Sequence, residues 1–177
     1  DNEVHYSDRW VGDLVDWALA QPWGKDTAVI ITADHDQGFG ERGRFRHAYD
    51  VWESLVRVPL FVYVPGVPAK RIETPRGHID LAPTIAELMK LPDDPPFRGK
   101  SWLREMRGEP EGLRPIVVDL PRSDIMDRRR GVIDDNWKII ELGNGEEWLL
   151  FDVLKDPKEE SDLAKSDPDR FSAMKEL

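Results

Sequence analysis

The sequence predicts an α/β fold followed by a small antiparallel β subdomain with a C-terminal helix. An amphipathic helical pattern over residues 1–20 precedes a continuous apolar run at residues 28–31. Such a run is typical of a strand covered on both faces, as in a parallel sheet between layers of helices. From residue 113 onward, short strand patterns with tight turns predict antiparallel strands, and the polar tail at residues 167–177 predicts a closing helix.

The first two-thirds of the chain alternates predicted helices with predicted strands. The first helix ends at Gln21 and Pro22, and a second strand is predicted at residues 57–65. Because Pro59 has no N–H to donate, we expect it near the start of that strand. Asp80 stands before an apolar-faced helical pattern and is predicted to cap it. The proline-rich run at residues 92–96 is predicted to be a connector.

Three strands are predicted in the last third, at residues 116–120, 132–142 and 148–153. Asn144 lies between two glycines, which indicates a hairpin joining the last two strands. Ser166 or Asp167 is expected to cap the final helix, with Pro168 in its first turn. We therefore predict a boundary between an α/β part at residues 1–112 and an antiparallel subdomain at residues 113–177.

Composition narrows the class of protein. A chain of 177 residues is long enough for about one domain with a sizeable core. The formal net charge of -10 argues against a nucleic-acid partner, which requires a basic surface. The absence of cysteine excludes disulfides and zinc–thiolate sites. The sequence has no apolar run long enough to span a bilayer and no secretory signal.

Asp34 and His35 are the candidate metal ligands. They follow the first predicted strand, and ligands of such sheets bind beyond the carboxyl ends of the strands. A carboxylate and a neutral imidazole together suit Zn, Mn, Mg or Ca. Neighbouring strand residues point to opposite faces, so both can reach one ion only where the strand ends, and Gly38, Gly40 and Gly43 follow closely. The alternative is that Asp34 caps the next turn and His35 bonds a backbone carbonyl.

A basic cluster follows the glycines and reverses the sign of an otherwise acidic chain. It consists of Arg42, Arg44, Arg46 and His47. The oxygens of a sulfate or phosphate ester need cations and hydrogen-bond donors as charge shifts in the transition state. The alternative is an exposed arginine-rich loop in weak surface ion pairs.

An ordered series of motifs resembles the second half of sulfatases of the alkaline phosphatase superfamily. The resemblance covers nearly the whole chain. Its first motifs are Thr32-Ala33-Asp34-His35, Gly38-Phe39-Gly40-Glu41-Arg42-Gly43, His47 and Trp52-Glu53-Ser54-Leu55-Val56-Arg57-Val58-Pro59-Leu60. Its later motifs are Gly77-His78-Ile79-Asp80-Leu81-Ala82-Pro83-Thr84, Trp137-Lys138-Ile139-Ile140, Leu150-Phe151-Asp152-Val153 and Asp156-Pro157-Lys158-Glu159-Glu160.

The resemblance implies an alkaline-phosphatase-like sandwich and the C-terminal portion of a metal-dependent hydrolase of sulfate esters. It implies that Asp34 and His35 hold a divalent cation together with carboxylates from a missing N-terminal half. Calcium is favoured for a sulfatase, while Mg, Mn and Zn stay open. His47 would bind the ester and donate a proton to the leaving group, and Arg42 would help to bind the anion. The substrate would be a small-molecule or carbohydrate sulfate ester.

The nucleophile is expected outside this chain. Sulfatases oxidise the first residue of a Ser-or-Cys-x-Pro-x-Arg motif to formylglycine, and that motif lies in their N-terminal half. Ser166-Asp167-Pro168-Asp169-Arg170 fits the pattern, but it lies far after Asp34 and is explained by a helix cap. Two protein ligands make a poor metal site, so we expect the isolated chain to bind metal weakly and not to turn over.

Two departures from the family pattern leave the substrate open. Asp36 stands where members commonly have glycine, and Arg42 stands where many have histidine. One alternative is a phosphodiesterase or phosphoglycerol transferase of the same superfamily, with a Thr or Ser nucleophile. Another is a non-catalytic domain that keeps the fold. The resemblance favours a periplasmic, extracellular or membrane-anchored location.

Overall fold

The structure, a computed structural model, describes residues 2–43, 45–47, 49–92, 96–124 and 126–177. The helices are α1 Asn2–Leu19, α2 Glu53–Val56, α3 Leu81–Leu88, α4 Leu103–Met106 and α5 Pro168–Lys175. The strands are β1 Val29–Thr32, β2 Gly38–Phe39, β3 Phe45–Arg46, β4 Leu60–Tyr63, β5 Ile116–Leu120, β6 Arg129–Asp134, β7 Trp137–Leu142 and β8 Glu147–Asp152. The predicted connector at residues 92–96 lies partly outside the described residues.

The chain divides into two compact units. The first ends at Thr32 and resumes over Pro59–Lys70, and the second holds Ala33–Val58 and Arg71–Leu177. The boundary predicted between residues 112 and 113 stays a prediction. The boundaries of the compact units fall at other positions. Residues 33–58 belong to the second unit, since side chains of residues 51–55 share a core with the C-terminal sheet.

The first unit contains α1 and a two-stranded sheet of β1 and β4. The strands pair antiparallel, with Val29 opposite Tyr63 and Thr32 opposite Leu60. The parallel arrangement that the apolar run predicted is therefore wrong for this pair. A parallel neighbour needs a crossover to the far end of the strand, whereas β4 begins where β1 stops and runs back. β4 starts directly after Pro59, as predicted.

Helix α1 matches the predicted first helix and has no buried residue. Most of its apolar positions are exposed, including Trp10, Leu14 and Trp17. None of the described helices combines the length and the apolar character needed to cross a membrane.

The second unit contains a four-stranded antiparallel sheet in the order β5-β6-β7-β8. The predicted strand at residues 132–142 is in fact two strands, because the chain turns at Asp135 and Asn136. Asp135 has a φ of 55°, a left-handed conformation that Asp tolerates better than most residues. The predicted hairpin around Asn144 joins β7 and β8.

Strand β7 is covered on both faces. Ile140 packs in a cluster with Trp52, Leu55 and Phe151 on one side. Ile139 packs with Leu150 and with Met174 of α5 on the other side. The Asp167 side chain caps α5 by accepting from the Arg170 N–H at 3.1 Å, which confirms the predicted cap. Burying both faces of β7 makes it the centre of the core.

Asp80 has a different role from the predicted helix cap. It stands at the N-cap position of α3, but its side chain makes no capping hydrogen bond. Both carboxylate oxygens accept from Arg114 at 2.9 Å. They also accept from the Lys100 N–H at 2.8 Å and the Trp102 Nε1–H at 3.2 Å. Asp80 is buried, with 2% of its surface exposed, and its hydrogen bonds link α3 to the segments around Trp102 and Arg114.

Asp152, at the end of β8, is expected to make an acid-sensitive contribution to the free energy of unfolding. Burial raises its pKa, but hydrogen bonds and the charge of Lys155, together with the Asn136 amide, outweigh burial and lower the pKa from 3.8 to about 2. The carboxylate therefore contributes stability above pH 4 that is lost as the pH falls through 2. Asp152→Asn should lower the free energy of unfolding by about 1–2 kcal/mol at pH 7.

The measurement is urea denaturation of both proteins at pH 7, 5 and 3. The difference between them should persist at pH 5 and shrink at pH 3. A difference of the same size at all three pH values would show that the charge of Asp152 is not its cause.

Candidate active site

Asp34 and His35 lie in a bend that follows β1 in the sequence. The Asp34 Oδ1 accepts from the His35 N–H at 3.1 Å, and the His35 Nδ1 lies 3.0 Å from the Asp36 carbonyl oxygen. A carbonyl oxygen can only accept, so Nδ1 carries a proton, and in the neutral ring Nε2 is the atom with the lone pair. The carbonyl bond that the alternative predicted for His35 is present, and it orients the ring without using Nε2.

The two remaining donor atoms are spaced to share one cation. The His35 Nε2 lies 3.5 Å from the Asp34 Oδ2. Ligand atoms about 2.0–2.5 Å from one cation lie about 3–4 Å from each other. Both side chains are accessible, with 46% of His35 and 89% of Asp34 exposed. The donor set and its spacing fit a divalent metal.

The β2–β3 hairpin places His47 next to this pair. Gly38 is opposite Arg46 in that hairpin, so the residues just outside it, Gln37 and His47, are neighbours. The His47 Nδ1–H donates to the Gln37 Oε1 at 3.0 Å. The His47 ring stacks on the His35 ring with 4.2 Å between centroids and 25° between planes. The structure thus brings together three of the four predicted site residues.

The glycine-rich loop supplies the turn between these histidines. Gly40 and Gly43 have φ values of 120° and 70°, which other residues rarely adopt. The Glu41 carboxylate accepts from the Phe39 N–H at 2.6 Å. Hydrogen bonds from the Glu41 and Phe39 backbone N–H groups lower the pKa of Glu41. An ionised Glu41 therefore closes the tip of the loop.

Arg42 contacts an aromatic ring and two backbone carbonyl oxygens. Its guanidinium carbon is 3.6 Å from the centroid of the Trp52 ring. Its Nη2 donates to the carbonyl oxygen of Glu159 and, at 3.4 Å, to that of Lys158. The role of Arg42 in binding the ester stays a prediction. Arg44, another member of the basic cluster, lies outside the described residues.

No group of three or more His, Cys, Asp or Glu side chains in the described part of the chain is arranged to hold a metal. The candidate centre therefore consists of two potential ligands, Asp34 and His35, with His47 beside them. Sequence reasoning missed Gln37, which orients His47. Its hydrogen bond depends on the hairpin register, and no motif in the sequence indicated that register.

The chain is similar to known proteins. The sulfatase family model matches residues 1–91. The chain belongs to the sulfatase family. A sulfatase of Formosa agariphila is 30% identical over 158 residues, which cover 88% of this chain and 30% of that protein. A Δ4,5-hexuronate-2-O-sulfatase of Bacteroides thetaiotaomicron is 31% identical over 177 residues, covering 91% of this chain and 36% of that protein.

Solved structures confirm the fold class. The phosphonate monoester hydrolase of Agrobacterium radiobacter superposes with a TM-score of 0.76 at 22% identity, over 94% of this chain and 36% of that one. The alkaline-phosphatase-like α/β fold with its small antiparallel subdomain is therefore as predicted. This sulfatase-family chain spans about a third of the length of the curated relatives it matches.

Proposed function

We propose that this chain is the C-terminal part of a metal-dependent hydrolase of sulfate esters. One observation carries the proposal: in a sulfatase-family chain, the Asp34 Oδ2 and the His35 Nε2 lie 3.5 Å apart with the imidazole fixed through its other nitrogen. Metal-ligating histidines commonly have such an outer hydrogen bond, because it sets the tautomer and orients the ring.

Asp34 and His35 would hold a divalent cation, with calcium favoured. When bound, such a cation stabilises the nucleophile and neutralises an oxygen of the ester. The Gln37 amide oxygen accepts from the Nδ1–H of His47, so the proton for the leaving group would come from Nε2 of the doubly protonated imidazolium, which becomes the neutral ring. His47 would thus bind the ester and serve as proton donor.

The complete protein must contribute the rest of the site. Carboxylate ligands and the formylglycine nucleophile would come from outside this chain, so the chain alone would bind metal weakly and not turn over. The exposed apolar side chains of α1 support a further covering part of the protein. A structural role for Ser166 is supported by its place beside the cap of α5, where its hydroxyl donates to the Leu163 carbonyl at 3.3 Å.

The proposed substrate is a sulfated carbohydrate or a small sulfate ester. The Bacteroides relative described above is a sulfatase of a hexuronate. Arg42 remains a candidate for binding the ester, because its Nη2 donates to the Lys158 and Glu159 carbonyls and its guanidinium has three further N–H groups. The location outside the cytoplasm that the resemblance favoured also stays a proposal.

A second candidate function is hydrolysis of a phosphonate monoester or phosphodiester. The likeness to the Agrobacterium phosphonate monoester hydrolase shows that the fold carries this chemistry in another protein. The ligands Asp34 and His35 would serve either reaction. The basic cluster that follows them in the sequence suits both anions, so the choice would depend on residues outside this chain.

Kinetics of the complete protein test the proposal. We expect kcat/KM for 4-nitrophenyl sulfate to exceed that for 4-nitrophenyl phenylphosphonate and bis(4-nitrophenyl) phosphate by at least about a hundredfold, a difference of about 3 kcal/mol in transition-state binding. EDTA should abolish the activity and calcium should restore it. A preference for either phosphorus ester would move the assignment to the second candidate. Hydrolysis of none of the three, and of no sulfated saccharide, would indicate a non-catalytic domain.

A further inference from the structure

Glu159 joins three parts of the second unit that are distant in sequence. Its Oε2 accepts from the Glu53 N–H at 2.7 Å, and its Oε1 lies 3.0 Å from the Lys138 Nζ. Its carbonyl oxygen accepts from Arg42. Through these contacts, one residue links strand β7, helix α2 and the glycine-rich loop.

The carboxylates and the ammonium of this network are almost fully removed from water. The exposed fractions of the side chains are 0% for Lys138, 1% for Glu159 and 11% for Glu53. Burial raises the pKa of Glu159, although the charge of Lys138 and the Glu53 N–H oppose that effect. A buried ionic group is weak evidence for stability, since apolar residues of similar size often stabilise as well. Burial of the network is therefore not by itself evidence that it only stabilises the fold.

Backbone strain occurs at both ends of the contact between the loop and Glu159. Arg42 has a φ of 52° and Glu159 a φ of 55°, and neither residue is a glycine. Such conformations cost about 1–3 kcal/mol each and persist where the surroundings impose them, often at functional sites.

A continuous series of hydrogen bonds leads from Glu159 to the candidate metal ligand. The Glu159 carboxylate holds the first N–H of α2, and the Leu55 carbonyl of α2 accepts from the Asp36 N–H at 2.9 Å. The Asp36 carbonyl in turn accepts from the His35 Nδ1–H.

The second connection runs through Arg42. It holds the glycine-rich loop between His35 and His47, and its guanidinium stacks on Trp52, the residue before α2. The first connection therefore ends at His35, and the second ends at the loop that joins His35 to His47.

We propose that Glu159, supported by Lys138, is a positioning residue that holds Asp34 and His35 in their metal-binding geometry through α2 and through Arg42. This inference rests on the proposed function of Asp34 and His35. It assigns the C-terminal subdomain a part in metal binding that acts through α2 and the glycine-rich loop. It also gives Arg42 a role that requires no contact with the ester.

The test is calorimetric titration of the complete, metal-free protein with Mn²⁺. Glu159→Ala should weaken binding about 10–100-fold, as is typical when an outer partner of a metal ligand is lost. Glu159→Gln keeps an oxygen for the Glu53 N–H and leaves Lys138 paired with Glu53, so it should bind within about threefold of wild type. Glu160→Gln, which removes an exposed charge from the next residue, is the matched control and should bind like wild type.

Arg42→Ala changes a loop residue and keeps the experiment decisive if Glu159→Ala does not fold. It should also weaken Mn²⁺ binding in the absence of any ester. An arginine that acts only on the ester would raise KM and leave metal affinity unchanged. Wild-type Mn²⁺ affinity in folded Glu159→Ala or in Arg42→Ala would overturn the proposal.

Asp34→Ala separates this proposal from the proposed function. Loss of Mn²⁺ binding in Asp34→Ala shows that the metal site is where we place it, and the Glu159 and Arg42 variants then decide the positioning role. Unchanged Mn²⁺ binding in Asp34→Ala would reject the metal site itself, and the positioning role with it.

Discussion

Asp34→Ala in the complete protein is expected to lower kcat/KM for 4-nitrophenyl sulfate by about a thousandfold or more. Loss of a ligand would remove the cation or displace it, and a catalytic cation supplies several kcal/mol of transition-state stabilisation. A loss of about 4 kcal/mol corresponds to about a thousandfold in rate. The measurement is steady-state kinetics with calcium in excess, together with the metal content of the purified protein.

Asp36→Asn is the matched control for this experiment. It removes an equal charge two residues away. The asparagine still has a side-chain oxygen that can accept from the Gln37 N–H, as the Asp36 carboxylate does at 2.8 Å in the structure. Since Asp36 contacts the site through its backbone, we expect at most about a tenfold change in kcat/KM. Equal losses in Asp34→Ala and Asp36→Asn would show that the effect comes from the overall charge of the segment and not from metal ligation.

The candidate site could be predicted because its residues are close in sequence. Asp34 and His35 are adjacent, and His47 follows within one hairpin, so a strand end and a glycine-rich loop suffice to bring them together. Local turn chemistry has a short range and leaves a clear pattern of residues. The stacking of His35 on His47 depends on the register of the hairpin, which the pattern does not determine.

The contacts of Arg42 show what sequence reasoning could not reach. Its partner Glu159 is 117 positions away, and the pairing depends on how the C-terminal sheet packs against residues 51–55. A basic residue beside a proposed anion site favours a role in anion binding, and the sequence carries no signal for a backbone carbonyl as its partner. The burial of Lys138 could not be predicted from the sequence either, because a lysine within a strand pattern is ordinarily exposed.

Two errors in the fold arose from signals that were present but misjudged. The turn at Asp135 and Asn136 interrupts an otherwise apolar pattern, and residues of these types favour turns. Asp80 stands where a capping residue belongs, but Arg114 and Trp102 compete for its carboxylate. Tertiary contacts to a buried charge outweigh a local cap, which is worth about 1 kcal/mol.

Asp80→Ala is accordingly expected to destabilise the protein more than any other single change described above. It would leave the Arg114 guanidinium, whose side chain is 24% exposed, without its carboxylate. It would also remove the acceptor of the Lys100 backbone N–H and of the Trp102 indole Nε1–H. Breaking a buried pair on one side typically costs about 3–5 kcal/mol in the free energy of unfolding. The measurement is urea denaturation followed by tryptophan fluorescence.

Two variants identify the source of that loss. Asp80→Asn keeps the shape and one oxygen acceptor, so it should recover about half of the stability lost in Asp80→Ala. Asp119→Ala breaks a similar ion pair with Arg128 at the surface, where the side chains are 37% and 42% exposed, and should have a small effect because solvent screens such pairs. Equal destabilisation by Asp80→Ala and Asp119→Ala would mean that burial of Asp80 does not determine its contribution. The ion pair between Asp80 and Arg114 would then contribute no more to the free energy of unfolding than an ordinary surface ion pair.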